Sequence, residues 1–179
     1  YRPGSIFKIA QAMVALQEGV ITEETRIRCD RSIIDCHGPH SNEDLRGAIT
    51  HSCNPYFRGV LQRMLNQGAS NNPYDDTRIG LQEWSRHIGS FGFGKRLGID
   101  LPNEKGGLVP DPAYYDRAYG GRPWKFSNIY SIAIGEGENM VVPLQMANFA
   151  ATIANKCYYI TPLLVKSIGT TGKSLPQFL

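Results

Sequence analysis

Residues 1–19 read YRPGSIFKIAQAMVALQEG. From Ser5 onward, Ile6, Ile9, Ala10, Met13, Val14 and Leu16 recur at three- and four-residue steps, the period of a helix with one buried face. Pro3 and Gly4 break the chain just ahead of that run, and Gly19 stands where a left-handed helix end is expected. Ser5 is thereby placed at the helix N-terminus, where unpaired N–H groups and the positive dipole end favour a developing anion. Lys8 lies three residues on, on the same helical face. A hydroxyl beside an amine is a nucleophile with its base, provided burial lowers the lysine pKa. Taken alone, Ser-x-x-Lys also reads as a plain N-cap serine with a lysine nearby.

The chain has 179 residues, enough for one domain or a large piece of one. With 41% hydrophobic and 20% charged residues it falls among ordinary globular sequences rather than disordered ones. A net charge of +3 without a Lys/Arg cluster argues against a nucleic-acid partner. No apolar run is long enough to cross a bilayer, and no signal peptide is visible. The chain opens at Tyr1 without an initiator Met, and chemistry-bearing residues begin at position 5. It therefore reads as an excised segment, for which a missing anchor carries no weight.

Beyond the first helix, residues 20–28 look extended and 29–42 read as a Gly-, Pro- and His-rich loop. Residues 41–44 offer a cap and first-turn acids for a short helix holding Leu45, Ala48 and Ile49. Pro55 opens the next helix, with Phe57, Val60, Leu61, Met64 and Leu65 in period. Ser52 and Asn54 then lie in a tight turn between two helices, where small polar side chains also serve as plain caps. Residues 69–77 read as a polar turn and 81–88 as a helix anchored by Trp84. The glycines of 89–94 invite a phosphate-loop reading, which fails because neither a strand before them nor a Gly-Lys-Ser/Thr ending is present. Residues 95–128 read as a long ordered loop lining a groove. Residues 129–134 look like a strand, 143–155 like a helix opened by Pro143, and 158–168 extended before a turn at 169–173. The expected fold class is mainly α with little sheet.

The four cysteines are Cys29, Cys36, Cys53 and Cys157. Cys29 and Cys36 are followed closely by His37 and His40. Three readings stay open: a disulfide, free thiols, or a structural zinc held by Cys29, Cys36, His37 and His40 with Asp30 or Cys53. The spacing matches no standard zinc finger.

Ser5-x-x-Lys8 within RPGSIFK, followed by Ser52-Cys53-Asn54, resembles the first two motifs of the serine-reactive penicillin-binding enzymes. LGIDLPNEKGGLVP (97–110), IGEG (134–137) and VPLQMANFAATIAN (142–155) resemble class B penicillin-binding proteins, above all the elongation-type D,D-transpeptidases. Val142 replaces the usual Thr, and Glu136 stands where Gln is common. The family's third motif, Lys-Thr/Ser-Gly, is absent; Thr171-Gly172-Lys173 has the wrong order. The resemblance implies a central, mainly helical part of an α+β transpeptidase domain, truncated at both ends (1–179) and lacking most of a five-stranded sheet.

The resemblance also implies a mechanism. Ser5 attacks the D-Ala–D-Ala carbonyl of a peptidoglycan stem peptide, with Lys8 as base, Ser52 as proton relay and Asn54 as substrate-binding residue. β-Lactams acylate the same serine, and no cofactor is required. Partners are the glycosyltransferase and scaffold proteins of cell elongation. The site is the periplasmic face of the bacterial inner membrane, reached through an N-terminal anchor outside this chain. A β-lactam sensor or β-lactamase shares Ser-x-x-Lys, but no deacylating base is identifiable here. A non-catalytic binding module that keeps the fold, and a metal-stabilised structural domain, are the remaining alternatives.

Overall fold

The computed structural model describes residues 1–165. A 3-10 turn at Gly4–Phe7 runs directly into α1 (Lys8–Gln17). β1 (Ile27–Arg28) and β2 (Asn42–Glu43) pair antiparallel, Ile27 with Glu43 and Arg28 with Asn42. Then come α2 (Leu45–Thr50), α3 (Asn54–Leu65), α4 (Pro73–Ser90), α5 (Pro112–Ala118) and α6 (Phe126–Ile129). A second 3-10 turn at Tyr130–Ile134 follows, and α7 (Pro143–Ala154) is the last helix among the described residues. The mainly helical expectation holds.

The core is organised around α3, on which α1, α4 and the second 3-10 turn all pack. Tyr56, Phe57, Val60, Leu61, Met64 and Leu65 are fully buried along it. At 3.6 residues per turn these positions form one broad face, while Gln62 and Arg63 on the other side stay exposed. Trp84 is fully buried on α4, as its size and position predict. Its indole N–H donates to Gln11 Oε1 at 2.7 Å, and Gln11 Nε2 donates to the Ile132 carbonyl at 3.0 Å. One buried amide thus joins α1, α4 and the second 3-10 turn.

Several sequence expectations change. The buried residues of α1 are Lys8, Ala10, Gln11, Ala12, Val14 and Ala15, preceded by Phe7 of the 3-10 turn, whereas Ile6 is 66% exposed and Leu16 39%. The reason is that α1 is wedged between α3 and α4, which accept a lysine and a glutamine along with the small apolar residues. The end of α1 is as expected: Val20 N–H reaches the Ala15 carbonyl and Gly19 N–H the Leu16 carbonyl, a Schellman closure at φ +68°. Of the polar turn foreseen at 69–77, residues 69–72 stay irregular and 73–77 open α4, because Asn72 Oδ1 caps Tyr74 N–H and Pro73 occupies the first turn. The long loop at 95–128 contains α5 and part of α6, started by Asp111, whose side chain accepts from Tyr114 N–H. Residues 129–134, read as a strand, instead end α6 at Ile129 and form a 3-10 turn over 130–134; Ile129, Ile132 and Ala133 are buried at three- and four-residue spacing. The extended reading of 20–28 survives only at β1, and 158–162 pair with no strand among the described residues. The turn foreseen at 169–173 lies outside the described residues.

The loop from 92 to 107 is held by α7. Gln145 Nε2 lies 2.8–3.1 Å from the carbonyls of Gly92, Lys95 and Gly106, and its Oε1 accepts Val142 N–H at 2.9 Å. Val142 has no oxygen to return a cap to the helix, so the glutamine closes this helix start alone.

Replacing Gln11 by Leu keeps the volume but leaves the Trp84 N–H without its buried acceptor. We expect a loss of about 1–3 kcal/mol in unfolding free energy, measured by urea denaturation.

Candidate active site

Ser5 sits at the exposed mouth of the Gly4–Phe7 turn, one turn ahead of Lys8. Among the described residues its hydroxyl has no hydrogen-bond partner. Its N–H belongs to the first turn, where helical geometry supplies no acceptor. Lys8 is the opposite case: only 2% of it is exposed. Its ammonium donates to the Ser52 carbonyl at 2.7 Å, to Ser52 Oγ at 2.9 Å and to Asn54 Oδ1 at 2.5 Å. All three protons of the cation are thereby used. The Nζ also lies 5.7 Å from the centroid of the Phe57 ring.

The α2–α3 turn is shaped to supply those acceptors. Cys53 N–H returns to the Ala48 carbonyl at 2.8 Å, closing α2, and Pro55 stands in the first turn of α3. Between them Ser52 takes φ +52°, a left-handed conformation unusual for a residue with a Cβ. In that conformation its carbonyl and its hydroxyl face the same amine. Asn54 is the first residue of α3 rather than a turn residue. Its Nδ2 donates to the Asp35 carbonyl at 2.7 Å and its N–H to Cys36 Sγ at 3.4 Å. The side chain is therefore clamped with Oδ1 toward Lys8.

Burial lowers the Lys8 pKa from its usual value, while the nearby Cys36 and Cys53 thiols pull it back up. The result is an amine poised closer to losing its proton than a surface lysine. The cage holds the cation by hydrogen bonds, and desolvation works against it.

Beside this cage, Cys29, Cys36, His40 and Cys53 bring four donor atoms within 4.8 Å of one another. His40 Nε2 is 3.4 Å from Cys29 Sγ and 3.3 Å from Cys36 Sγ. His40 Nδ1 is buried without a partner, and the His51 ring stacks on His40 with centroids 5.0 Å apart. Burial pushes the Cys53 thiol up to about 12. All four cysteines of the chain are free. Three sulfurs and one imidazole at this spacing fit a tetrahedral zinc donor set. Of the residues named from sequence, His37 is exposed on the loop and outside the cluster, and Asp30 instead accepts from Ser32 N–H. Cys53 enters because the start of α3 packs against the loop, a contact that spacing along the chain does not reveal.

Sequence reasoning named Ser5, Lys8, Ser52 and Asn54; the fold joins Lys8, Ser52 and Asn54 by hydrogen bonds, and Ser5 lies in the 3-10 turn that leads into α1. It missed the Asp35 carbonyl and Cys36 sulfur that orient Asn54, and the Phe57 ring beside Lys8. Only the density of polar residues in 29–42 signalled the first two.

Residues 1–177 match the family model described as penicillin binding protein transpeptidase domain. Peptidoglycan D,D-transpeptidase MrdA of Acinetobacter baumannii is 28% identical over 178 residues, covering 93% of this chain and 24% of the relative. The crystal structure of Pseudomonas aeruginosa PBP2 in complex with WCK 5153 superposes with a TM-score of 0.73 at 26% identity, over 93% of this chain and 37% of that one. Helicobacter pylori PBP2, solved in complex with MreC, gives a TM-score of 0.71 at 27% identity, over 91% of this chain and 29% of that one. The chain thus spans about a quarter of the length of the curated relative it matches.

The depressed Lys8 pKa has a consequence for stability. Between the folded value and the unfolded value of 10.5, the unfolded chain binds more protons at this site, so stability rises with pH across that window. Comparing denaturation midpoints of wild type and Lys8→Met from pH 7 to 10, we expect the difference to move in favour of the wild type as pH rises.

Proposed function

The chain belongs to the penicillin-binding protein transpeptidase domain family, and from that premise we propose that it carries the acylation machinery of a peptidoglycan D,D-transpeptidase. The observation that carries this reading is the buried Lys8 held by Ser52 and Asn54, one turn from an exposed Ser5 whose hydroxyl has no partner among the described residues. Ser5 attacks the carbonyl between the two terminal D-alanines of a stem peptide. Lys8, once neutral, takes the hydroxyl proton. The oxyanion that forms is met by the Ser5 N–H and by a second donor outside this chain. The bond to the leaving D-alanine breaks as its nitrogen receives a proton through Ser52, whose hydroxyl already lies 2.9 Å from Lys8 Nζ. Asn54 holds Lys8 and the substrate backbone. A second stem peptide's amine then takes the acyl group from Ser5 and completes the crosslink. β-Lactams enter at the first step and stay on the serine.

In the whole enzyme we place this chemistry on the periplasmic face of the bacterial inner membrane, with a membrane anchor N-terminal to this chain. No helix among the described residues is long and apolar enough to cross a membrane. The Helicobacter pylori complex with MreC supports a scaffold partner, and we extend this to a glycosyltransferase of cell elongation.

No cofactor is needed for the acyl transfer. Zinc, in our reading, is structural, held by Cys29, Cys36, His40 and Cys53. Those residues come from the 29–40 loop and the position just before α3, so a zinc held by them would supply a structural cross-link between the two segments. Cys36, which already accepts the Asn54 N–H, would be one of the zinc's holders.

Fluorescent penicillin tests the catalytic reading. In the full-length protein we expect labelling at Ser5, abolished by Ser5→Ala, with a rate that climbs as pH rises through the depressed Lys8 pKa. The 179-residue chain alone should label at least about 10²-fold more slowly, the typical effect of losing a single oxyanion donor. Labelling at an undiminished rate would contradict the idea that a second donor lies elsewhere. Elemental analysis of protein purified without added metal should find about one zinc per chain, reduced in Cys53→Ser. Metal-free protein of unchanged thermal stability would remove the zinc reading.

A further inference from the structure

Ser5 is held only through its backbone, because its side chain has no partner among the described residues. On the Lys8 side, α1 is anchored by the three bonds to Ser52 and Asn54. On the other side, the Gly4 N–H donates to the Gly135 carbonyl at 2.9 Å. Gly135 closes the second 3-10 turn in a left-handed conformation, φ +73°, with its own N–H returning to Ile132 O at 3.2 Å. That Ile132 carbonyl also receives the buried amides of Gln11 and Asn139, each at 3.0 Å, so the turn is tied firmly to the core.

The approach is close enough to require glycine. A Cβ at Gly135 would collide with the Gly4 carbonyl oxygen and stand 2.8 Å from Phe7 Cβ. Those neighbours are backbone and a Cβ, which cannot rotate away. Relief has to come from moving the Gly4–Phe7 turn as a unit, and Ser5 with it. Gly137 makes a useful contrast. It has a similar φ of +64°, but a Cβ there would meet Ser131 Oγ, the end of a side chain that can rotate, and no atom of the Ser5 turn.

We propose that Gly135 is a positioning residue for the nucleophile: its carbonyl and its missing Cβ set where the Ser5 hydroxyl stands relative to the Lys8 cage. This rests on Ser5 being the acylated serine. Displacing a reacting atom by about 1 Å costs up to about 10²-fold in rate even when binding is untouched. A positioning role therefore separates the rate of the chemical step from affinity and from the number of working sites.

The experiment follows acylation of the full-length protein by fluorescent penicillin over a range of concentrations. Gly135→Ala is expected to lower the saturating rate constant by about 10- to 100-fold, with half-saturation and the final labelled fraction near wild type. Gly137→Ala, with comparable backbone strain, is expected to keep the wild-type rate constant. The rate constant is read from the molecules that label, so partial misfolding does not mask it. A Gly135→Ala protein whose labelled fraction falls while its rate constant is unchanged has lost folding only, and overturns the proposal. Hydrogen exchange in the wild type gives an independent arm: the Gly4 amide is expected to be protected, and free exchange there would also overturn it. Wild-type protein that fails to label at Ser5 would overturn the functional reading and this inference together. Labelling in the wild type with an unaffected Gly135→Ala variant would overturn this inference alone.

Discussion

A buried ammonium is the constraint on which the rest of the site depends. Removing a lysine from water is costly unless its protons are met by acceptors. Here Lys8 finds three, two from Ser52 in the short connection between α2 and α3 and one from Asn54 at the start of α3. Meeting them forces Ser52 into a left-handed conformation and requires Asn54 to be aimed by the Cys36 loop. The same burial that makes the cage necessary lowers the amine's pKa. Hydrogen bonding and desolvation are thus opposed at one atom.

The surrounding fold supplies rigid surfaces for that arrangement. α3 carries Asn54 at its start and Phe57 one turn on, and it is buried deeply enough to act as a fixed reference. α1 brings Lys8 to it, with Gln11 and Trp84 locking the helix from the far side. The second 3-10 turn completes the frame, touching the Ser5 turn through Gly135 and α1 through Ile132. The cysteine and histidine cluster lies on the flank of the cage and shares Cys36 with it. In this frame Ser5 is the least restrained member, exposed and without a side-chain bond among the described residues.

Much of the site was legible because its residues fall in short, ordered motifs. Ser5 and Lys8 are one helical turn apart, and Ser52 and Asn54 flank a single residue at a helix start. Local geometry determines such relations. The metal-type cluster was half legible: Cys29, Cys36 and His40 come from one loop, but Cys53 joins and His37 leaves because of how α3 meets that loop. The buried face of α1 was misread for a related reason. Apolar period identified Ile6 and Leu16, yet the helix sits between two others and buries Lys8 and Gln11, whose polar ends find partners far along the chain. At 129–134 a run of apolar residues looked like a strand, although Ile129, Ile132 and Ala133 carry a helical spacing. Short apolar runs leave that choice to packing.

By itself the sequence determined the helical character of the chain, the C-terminal end of α1 and the starts of α3 and α7. These depend on φ, ψ preferences, caps and spacings that act over a few residues. Only the tertiary structure decided that Lys8 is dehydrated and caged, that Cys53 faces His40, and that Gly135 meets the Ser5 turn. Each of those is a contact between segments separated by at least a dozen residues. Such contacts form where buried surfaces and unpaired polar groups are jointly satisfied, and no local rule along the chain contains that condition.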